Sequence, residues 1–146
     1  MFSKTCQYAL QAILYISLHS DDFKPIGLKA ISKAQDIPHF FLSKILQDLV
    51  KQKILSSIKG PNGGFFLNKS ADKLSLHKIV EVIDGHDIFD RCGIGLKKCS
   101  DKSPCPIHFD YKQVKEKIKS LLNEKTVAEL CEDIKNGHSI VNYKTS

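Results

Sequence analysis

Between residues 28 and 68 the apolar residues change their period twice, and this restricts the fold more than any other feature of the chain. Leu42, Ile45, Leu46, Leu49 and Val50 stand at i, i+3, i+4, i+7 and i+8, the spacing of one apolar face on a helix from His39 to about Lys51. Ahead of it, Leu28, Ile31 and Ala34 form a shorter helical stripe up to Gln35. Asp36-Ile37-Pro38 then makes a tight turn, with Pro38 suited to the first position of a helix because its missing N–H costs nothing there. Behind it, Leu55 to Lys59 and Phe65 to Asn68 read as strands around Gly60-Pro61-Asn62-Gly63-Gly64. Asn62-Gly63 is a favoured hairpin-turn pair. Two short helices joined by a tight turn and followed by a Gly-rich hairpin predict a winged helix-turn-helix, the hairpin being the wing.

Two further helices complete a unit over residues 1–85. The first, about residues 5 to 19, is apolar and follows Lys4. Gln7, Gln11 and Ser17 interrupt it, and no small-residue cleavage site follows, so it reads as a buried helix and not as an export signal. The other runs from Ser75 as N-cap, through Leu76, Ile79, Val80 and Ile83, to Gly85 as its stop. No run approaches the apolar length of a membrane span, and a chain without an export signal is expected in the reducing cytoplasm.

Charge is unevenly divided. Residues 1–80 hold 11 Lys and Arg against 5 Asp and Glu, whereas residues 81–146 hold 11 against 11, so the net +6 lies wholly in the first part. A one-sided positive field suits a polyanion, and together with the helix pattern it points to double-stranded DNA. The expected contacts are His39, Phe40, Ser43, Lys44 and Gln47 on the second helix of the pair and Lys29 and Lys33 on the first. Lys59, Gly60, Pro61, Asn62 and Gly63 join them at the wing, whose small tip can approach a backbone or minor groove closely. Phe40 suits thymine methyls or packing against Phe41 and the core.

Residues 86–109 lose helical periodicity and carry the pattern C-x6-C-x5-C-x2-H, which places Cys92, Cys99, Cys105 and His108 within 17 residues. Thiolates bind soft and borderline metals, and a Gly/Pro-rich loop lets several sulfurs converge. Arg91, Lys97, Lys98 and Lys102 are expected to favour the thiolate forms. Three Cys and one His suit an iron-sulfur cluster or a closed zinc site, though the spacings exceed those of small zinc knuckles, and a metal-free thiol switch also fits. A thiol-dependent enzyme lacks support, since no nucleophile–base–orienter set or phosphate loop is present.

The last segment, 110–146, begins with a helix to about Glu124 on which Tyr111, Val114, Ile118, Leu121 and Leu122 share one face, a three-four spacing that suits a dimerisation seam. Thr126 to Glu129 reads as a capping box for a short final helix, with Val127, Leu130, Cys131 and Ile134 on one face.

Several of these residues recur together in one known family. Tyr8-Ala9-Leu10, Ile37-Pro38 before Phe41-Leu42 and Ile45-Leu46, the wing from Lys59 to Phe65, Asp84-Gly85 and the three-cysteine loop together resemble the Rrf2 family of iron-sulfur winged-helix transcription regulators, of the IscR and NsrR kind, over about residues 1 to 130. The resemblance implies a homodimer on a roughly palindromic operator, with a cluster reporting iron-sulfur status, oxidative stress or nitric oxide. It places Cys92, Cys99 and Cys105 on the cluster cysteines and His108 on the histidine that completes an IscR-type [2Fe-2S] site. The [4Fe-4S] alternative takes a carboxylate from the partner's first helix, where this chain has Gln7. Lys59 replaces the usual wing arginine, and Ser43 replaces a glutamate that discriminates between DNA sites.

Overall fold

The computed structural model describes residues 2–21, 23–69 and 71–140. The elements run α1 (Lys4–His19), α2 (Leu28–Gln35), α3 (His39–Lys51), β1 (Leu55–Ile58), β2 (Gly64–Leu67), a short 3-10 turn (Ala71–Lys73), α4 (Leu76–Asp84), α5 (His108–Glu124) and α6 (Val127–Lys135). This is the mainly α, winged helix-turn-helix architecture that the periodicity predicts. The segment assigned to residues 110–146 extends past 140, outside the described residues.

Helix α1 is the centre of the fold. Ser3 caps it by accepting the Cys6 N–H, and Cys6, Ala9, Ala12, Ile13 and Ile16 are buried along one face. The small side chains in that face let neighbouring helices approach closely, and α1 touches α2, α3, α4, α6 and β2. Helix α3 buries Leu42, Ile45, Leu46 and Leu49 against it, as the stripe requires. The turn between α2 and α3 closes on Asp36, which adopts the left-handed conformation at φ 55°. Short polar side chains tolerate that conformation best. Ser32 secures the same turn, its hydroxyl donating to the Ile37 carbonyl at 2.6 Å and its carbonyl accepting the Ile37 N–H at 3.2 Å. Pro38 stands one residue before the helix, as its N-cap, and not at its first position.

The wing pairs Leu55 with Leu67 and Ile58 with Gly64 in antiparallel register. Its tip differs from the expected two-residue turn on Asn62-Gly63. The Gly63 N–H donates to the Gly60 carbonyl at 3.0 Å, so residues 60–63 form a β-turn with Pro61 and Asn62 at its centre. Pro at the second position of such a turn has its φ already set. The start of β2, next to the turn, also carries a pairing absent from the sequence reading. Ile26 and Phe65 exchange both backbone hydrogen bonds, at 2.9 and 2.8 Å, which ties the segment before α2 to the wing.

The C-terminal segment returns to the first unit. Thr126 and Glu129 form the predicted capping box, and Val127 and Cys131 of α6 enter the core built by α1 and α3. Leu76 N–H donates to the Lys125 carbonyl at 2.9 Å, joining the starts of α4 and α6. The core of the first 85 residues therefore draws two buried side chains from beyond residue 125. A second cluster, Cys6, Val80, Ile88, Phe89 and Leu122, links α1, α4 and α5 beneath the cysteine loop.

Candidate metal centre and nucleic-acid interface

The residues expected at DNA divide by exposure. Lys29, Lys33, His39, Phe40, Lys44, Gln47, Lys59, Gly60, Pro61 and Asn62 are exposed, while Ser43 and Gly63 are half-buried. Gln47 donates to the Ser43 hydroxyl at 3.3 Å, one turn apart on α3, so these two side chains present themselves together. Phe40 is 67% exposed and Phe41 57%, and their rings meet edge to face at 6.3 Å. The pairing of Phe40 with Phe41 is real, but neither ring enters the core. The Lys44 ammonium lies 4.6 Å from the Phe40 ring centre, so a cation and an apolar surface stand side by side near the start of α3.

In the loop before α5, the sulfurs of Cys92, Cys99 and Cys105 all lie within 4.8 Å of one another, with Cys105 buried and the other two half-buried. Cys92 Sγ is 3.7 Å from Cys105 Sγ, and the Cys105 N–H donates to Cys99 Sγ at 3.4 Å. His108 Nδ1 is 3.1 Å from Cys99 Sγ. Its Nε2 is 2.7 Å from Asp101 Oδ1, and the Lys112 ammonium holds both oxygens of that carboxylate at 3.0 and 2.7 Å. His108 and Lys112 together hold the Asp101 carboxyl below the usual carboxylate range.

The thiols are unequal. Burial opposes ionisation of Cys92, but hydrogen bonds from the Ile94 and Leu96 N–H groups and from the neighbouring thiols lower it to about 7. At Cys99 the Cys105 N–H favours the thiolate, yet burial and the adjacent sulfurs outweigh it and the thiol titrates above its ordinary value. Backbone N–H groups and neighbouring thiols, not the expected cations, therefore lower Cys92. Arg91 is engaged by other acceptors: its guanidinium binds Asp87 at 2.9 and 3.1 Å and the Asp84 carbonyl at the end of α4 at 3.2 Å. Asp84 in turn holds Ser3, accepting its N–H at 2.9 Å as well as its hydroxyl, so the cysteine loop is roped to the start of α1.

Helix α5 supports the loop from below. A Cβ on Gly93 would come within 2.9 Å of the Tyr111 ring, so only glycine permits that ring to sit there. Lys115 is buried, donates to the Arg91 carbonyl at 3.0 Å and places its ammonium 5.2 Å from the Tyr111 ring centre. The face predicted as one seam is thereby split. Tyr111 lies half-buried against Gly93, Ile118 is half-buried and Leu122 is buried in the second core cluster, whereas Val114 and Leu121 are 50% and 53% exposed. Asp101, Lys112 and Lys115 escaped the sequence reading. The i, i+4 spacing of His108 and Lys112 was the one available hint.

The two remaining cysteines are core residues. Cys131 is buried in the first cluster, and Cys6 is fully buried, its thiol pushed up to about 12 by burial and by Asp84 beside it. Gln7 is exposed and its amide donates to the Phe2 carbonyl at 3.3 Å.

The family model for Rrf2, described as iron-dependent transcriptional regulator, matches residues 2–133. The chain belongs to the Rrf2 family. IscR of Yersinia pseudotuberculosis (serotype O:1b, strain IP 31758), an HTH-type transcriptional regulator, is 33% identical over 124 residues, 85% of this chain and 74% of that protein. Among solved structures, IscR of T. potens superposes with a TM-score of 0.71 at 21% identity, covering 96% of this chain and 92% of that one. CymR (YrzC), the global cysteine regulator of B. subtilis, gives 0.70 at 19% identity, covering 90% and 96%. Both likenesses show the fold. The relatives of this Rrf2 chain are transcriptional regulators and not enzymes, the family implies DNA binding, and the three-cysteine cluster fits a metal or thiol sensor. Among the described residues no helix is long and apolar enough to cross a membrane.

Proposed function

We propose that this Rrf2 chain is a cytoplasmic, homodimeric, sequence-specific DNA-binding regulator that senses iron-sulfur status, redox state or nitric oxide through a [2Fe-2S] cluster held by Cys92, Cys99, Cys105 and His108. The observation that carries this reading is the convergence of three sulfurs with an imidazole nitrogen beside one of them, inside a regulator fold. Three thiolates and one imidazole suit such a cluster, which when bound supplies a centre reactive toward oxidants and nitric oxide. The chain's own part is mechanical. Residues 91–93 are gripped by Lys115 and Tyr111 on α5, and Arg91 grips the end of α4, so a change in loop geometry reaches both elements. Residues 1–85 serve as the DNA-binding unit, 86–109 as the sensor loop and 110–146 as the dimerisation segment. Val114 and Leu121, seven residues apart and exposed, give a seam for a second copy, with Tyr111, Ile118 and Leu122 supporting it from within. Two copies would present two α3 helices about one DNA turn apart, roughly 34 Å, on a roughly palindromic operator.

The test compares cluster-loaded and cluster-free dimers at one salt concentration on an operator selected from a random duplex pool. Coupling typical of two-site proteins changes affinity about 5- to 150-fold. Equal affinities would remove the sensing role and leave DNA binding standing.

A second reading, a single zinc ion, draws on one distance. Tetrahedral Zn–S bonds of about 2.3 Å separate sulfurs by about 3.8 Å, close to the 3.7 Å between Cys92 and Cys105. Protein purified without oxygen should contain iron and sulfide on the first reading and stoichiometric zinc on the second.

For the DNA face, Lys44→Ala is expected to weaken binding by a similar factor on all duplexes and to reduce the slope of log affinity against log salt by about 1, as loss of one phosphate contact does. Titrations at four salt concentrations measure that slope. An unchanged slope would take Lys44 off the phosphate backbone.

A further inference from the structure

His108 is useful to a metal only if one ring nitrogen is bare and aimed at it. The residue opens α5, and its ring could turn either nitrogen toward the sulfurs. Asp101 decides between them: its Oδ1 lies 2.7 Å from Nε2, and a carboxylate can only accept, so Nε2 is the nitrogen that donates to Asp101 and Nδ1 is the one left to offer a lone pair to a metal. Nδ1 is on the side of Cys99 Sγ, 3.1 Å away. The carboxylate is itself fixed. Lys112, one turn along α5 from His108, grips both of its oxygens. The short loop around Asp101 is closed by Ser100 and Ser103, whose N–H groups donate to each other's carbonyls at 3.2 and 3.0 Å.

We propose that Asp101 and Lys112 are positioning residues that hold His108 with Nδ1 committed to the metal side of the cysteine site. The inference rests on the reading of His108 as the fourth ligand. A carboxylate behind a metal-binding histidine fixes the ring and makes the facing nitrogen a better donor, and its loss costs about 10- to 100-fold in metal affinity. Asp101 also lies in the stretch between Cys99 and Cys105, so the same hydrogen bond draws the segment delivering two of the sulfurs onto the start of α5.

The experiment titrates cobalt(II) into the reduced, metal-free full-length protein under nitrogen, following the d–d and sulfur-to-cobalt bands. His108→Ala, Asp101→Ala, Asp101→Asn and the double variant His108→Ala/Asp101→Ala are compared with the parent. His108→Ala should weaken binding and alter the d–d envelope as nitrogen leaves the ligand set. Asp101→Ala should weaken it about 10- to 100-fold. Asp101→Asn, which keeps a carbonyl acceptor, should recover most of the loss. In the double variant, loss of Asp101 should add nothing, because its partner is already gone. If His108→Ala binds cobalt like the parent, the fourth-ligand reading fails and this inference falls with it. If His108→Ala is weak but Asp101→Ala binds like the parent, the ligand reading stands and this inference is overturned. Equal cost of Asp101→Ala with and without His108 also overturns it, because Asp101 then supports the loop and not the ring.

Discussion

Gly64→Ala is expected to destabilise the protein by about 2–4 kcal/mol and to weaken DNA binding more than tenfold, while cobalt(II) binding at the cysteine site stays unchanged. A Cβ on Gly64 would overlap the Ile26 carbonyl and come within 2.8 Å of the Gly27 nitrogen. All of these are backbone atoms, so no side chain can rotate to relieve the clash, and the strand must leave residue 26. The two Ile26–Phe65 hydrogen bonds then open, each worth about 1 kcal/mol net, with further loss from Phe65 and Ile26, which pack against the main core. For a domain of this size the melting temperature should fall by about 5–15 °C. The wing is re-aimed relative to α2, so DNA binding suffers beyond the stability loss. The sulfurs come from residues 92–105, outside the wing, and should not notice. Calorimetry and fluorescence anisotropy on one preparation check both halves. A variant with parental melting and DNA affinity would show that β2 does not depend on its contact with residue 26.

The contrast between what the sequence disclosed and what it concealed follows the range of the interactions. Helix α3 was legible to the residue because five apolar side chains at helical spacing specify its face locally. The caps at Ser75 and Thr126 were legible because a cap is a three-residue interaction. The Ile26–Phe65 pairing spans 39 residues of sequence and involves backbone groups alone, so no side-chain pattern announces it. The docking of α6 on α1 was hidden for a related reason. An amphipathic stripe says that a face is buried but not against what, and Val127 and Cys131 would look the same at a dimer interface. The same ambiguity made α5 read as one seam, whereas Gly93 and the second core claim part of it. At the three-cysteine site, crowding was visible from spacing. The polar support was not: Asp101, Lys112 and Lys115 are ordinary surface residue types until the loop folds them onto their partners. Arg91 misled in the opposite direction, since a cation next to a cysteine suggests thiolate stabilisation, while its fork geometry found two acceptors at Asp87 and the end of α4.

Cys105→Ala should lower cobalt(II) affinity more than 100-fold and make DNA affinity independent of metal or cluster loading. Of the three sulfurs Cys105 is the buried one, at 8% exposure. Its loss leaves two sulfurs and one imidazole, too few for a closed four-ligand site or for a cluster that takes four protein ligands. Its backbone N–H remains, so the hydrogen bond to Cys99 Sγ survives and the variant removes a ligand without unravelling the loop. The controls come from the other two cysteines. Cys131→Ala deletes a sulfur of similar burial, at 5% exposure, from the core between α6 and α1 and should cost roughly 1–2 kcal/mol of stability. Its metal binding should match the parent. Cys6→Ala should behave likewise, since burial and Asp84 keep that thiol protonated near neutral pH. The three variants thus separate the cysteines by chemistry and not by position: one loses metal and keeps its fold, while two lose stability and keep metal. Equal metal loss in Cys105→Ala and Cys131→Ala would mean that affinity follows global stability, and the three-sulfur site would lose its assignment. Parental cobalt spectra in Cys105→Ala would move the ligands elsewhere in the chain.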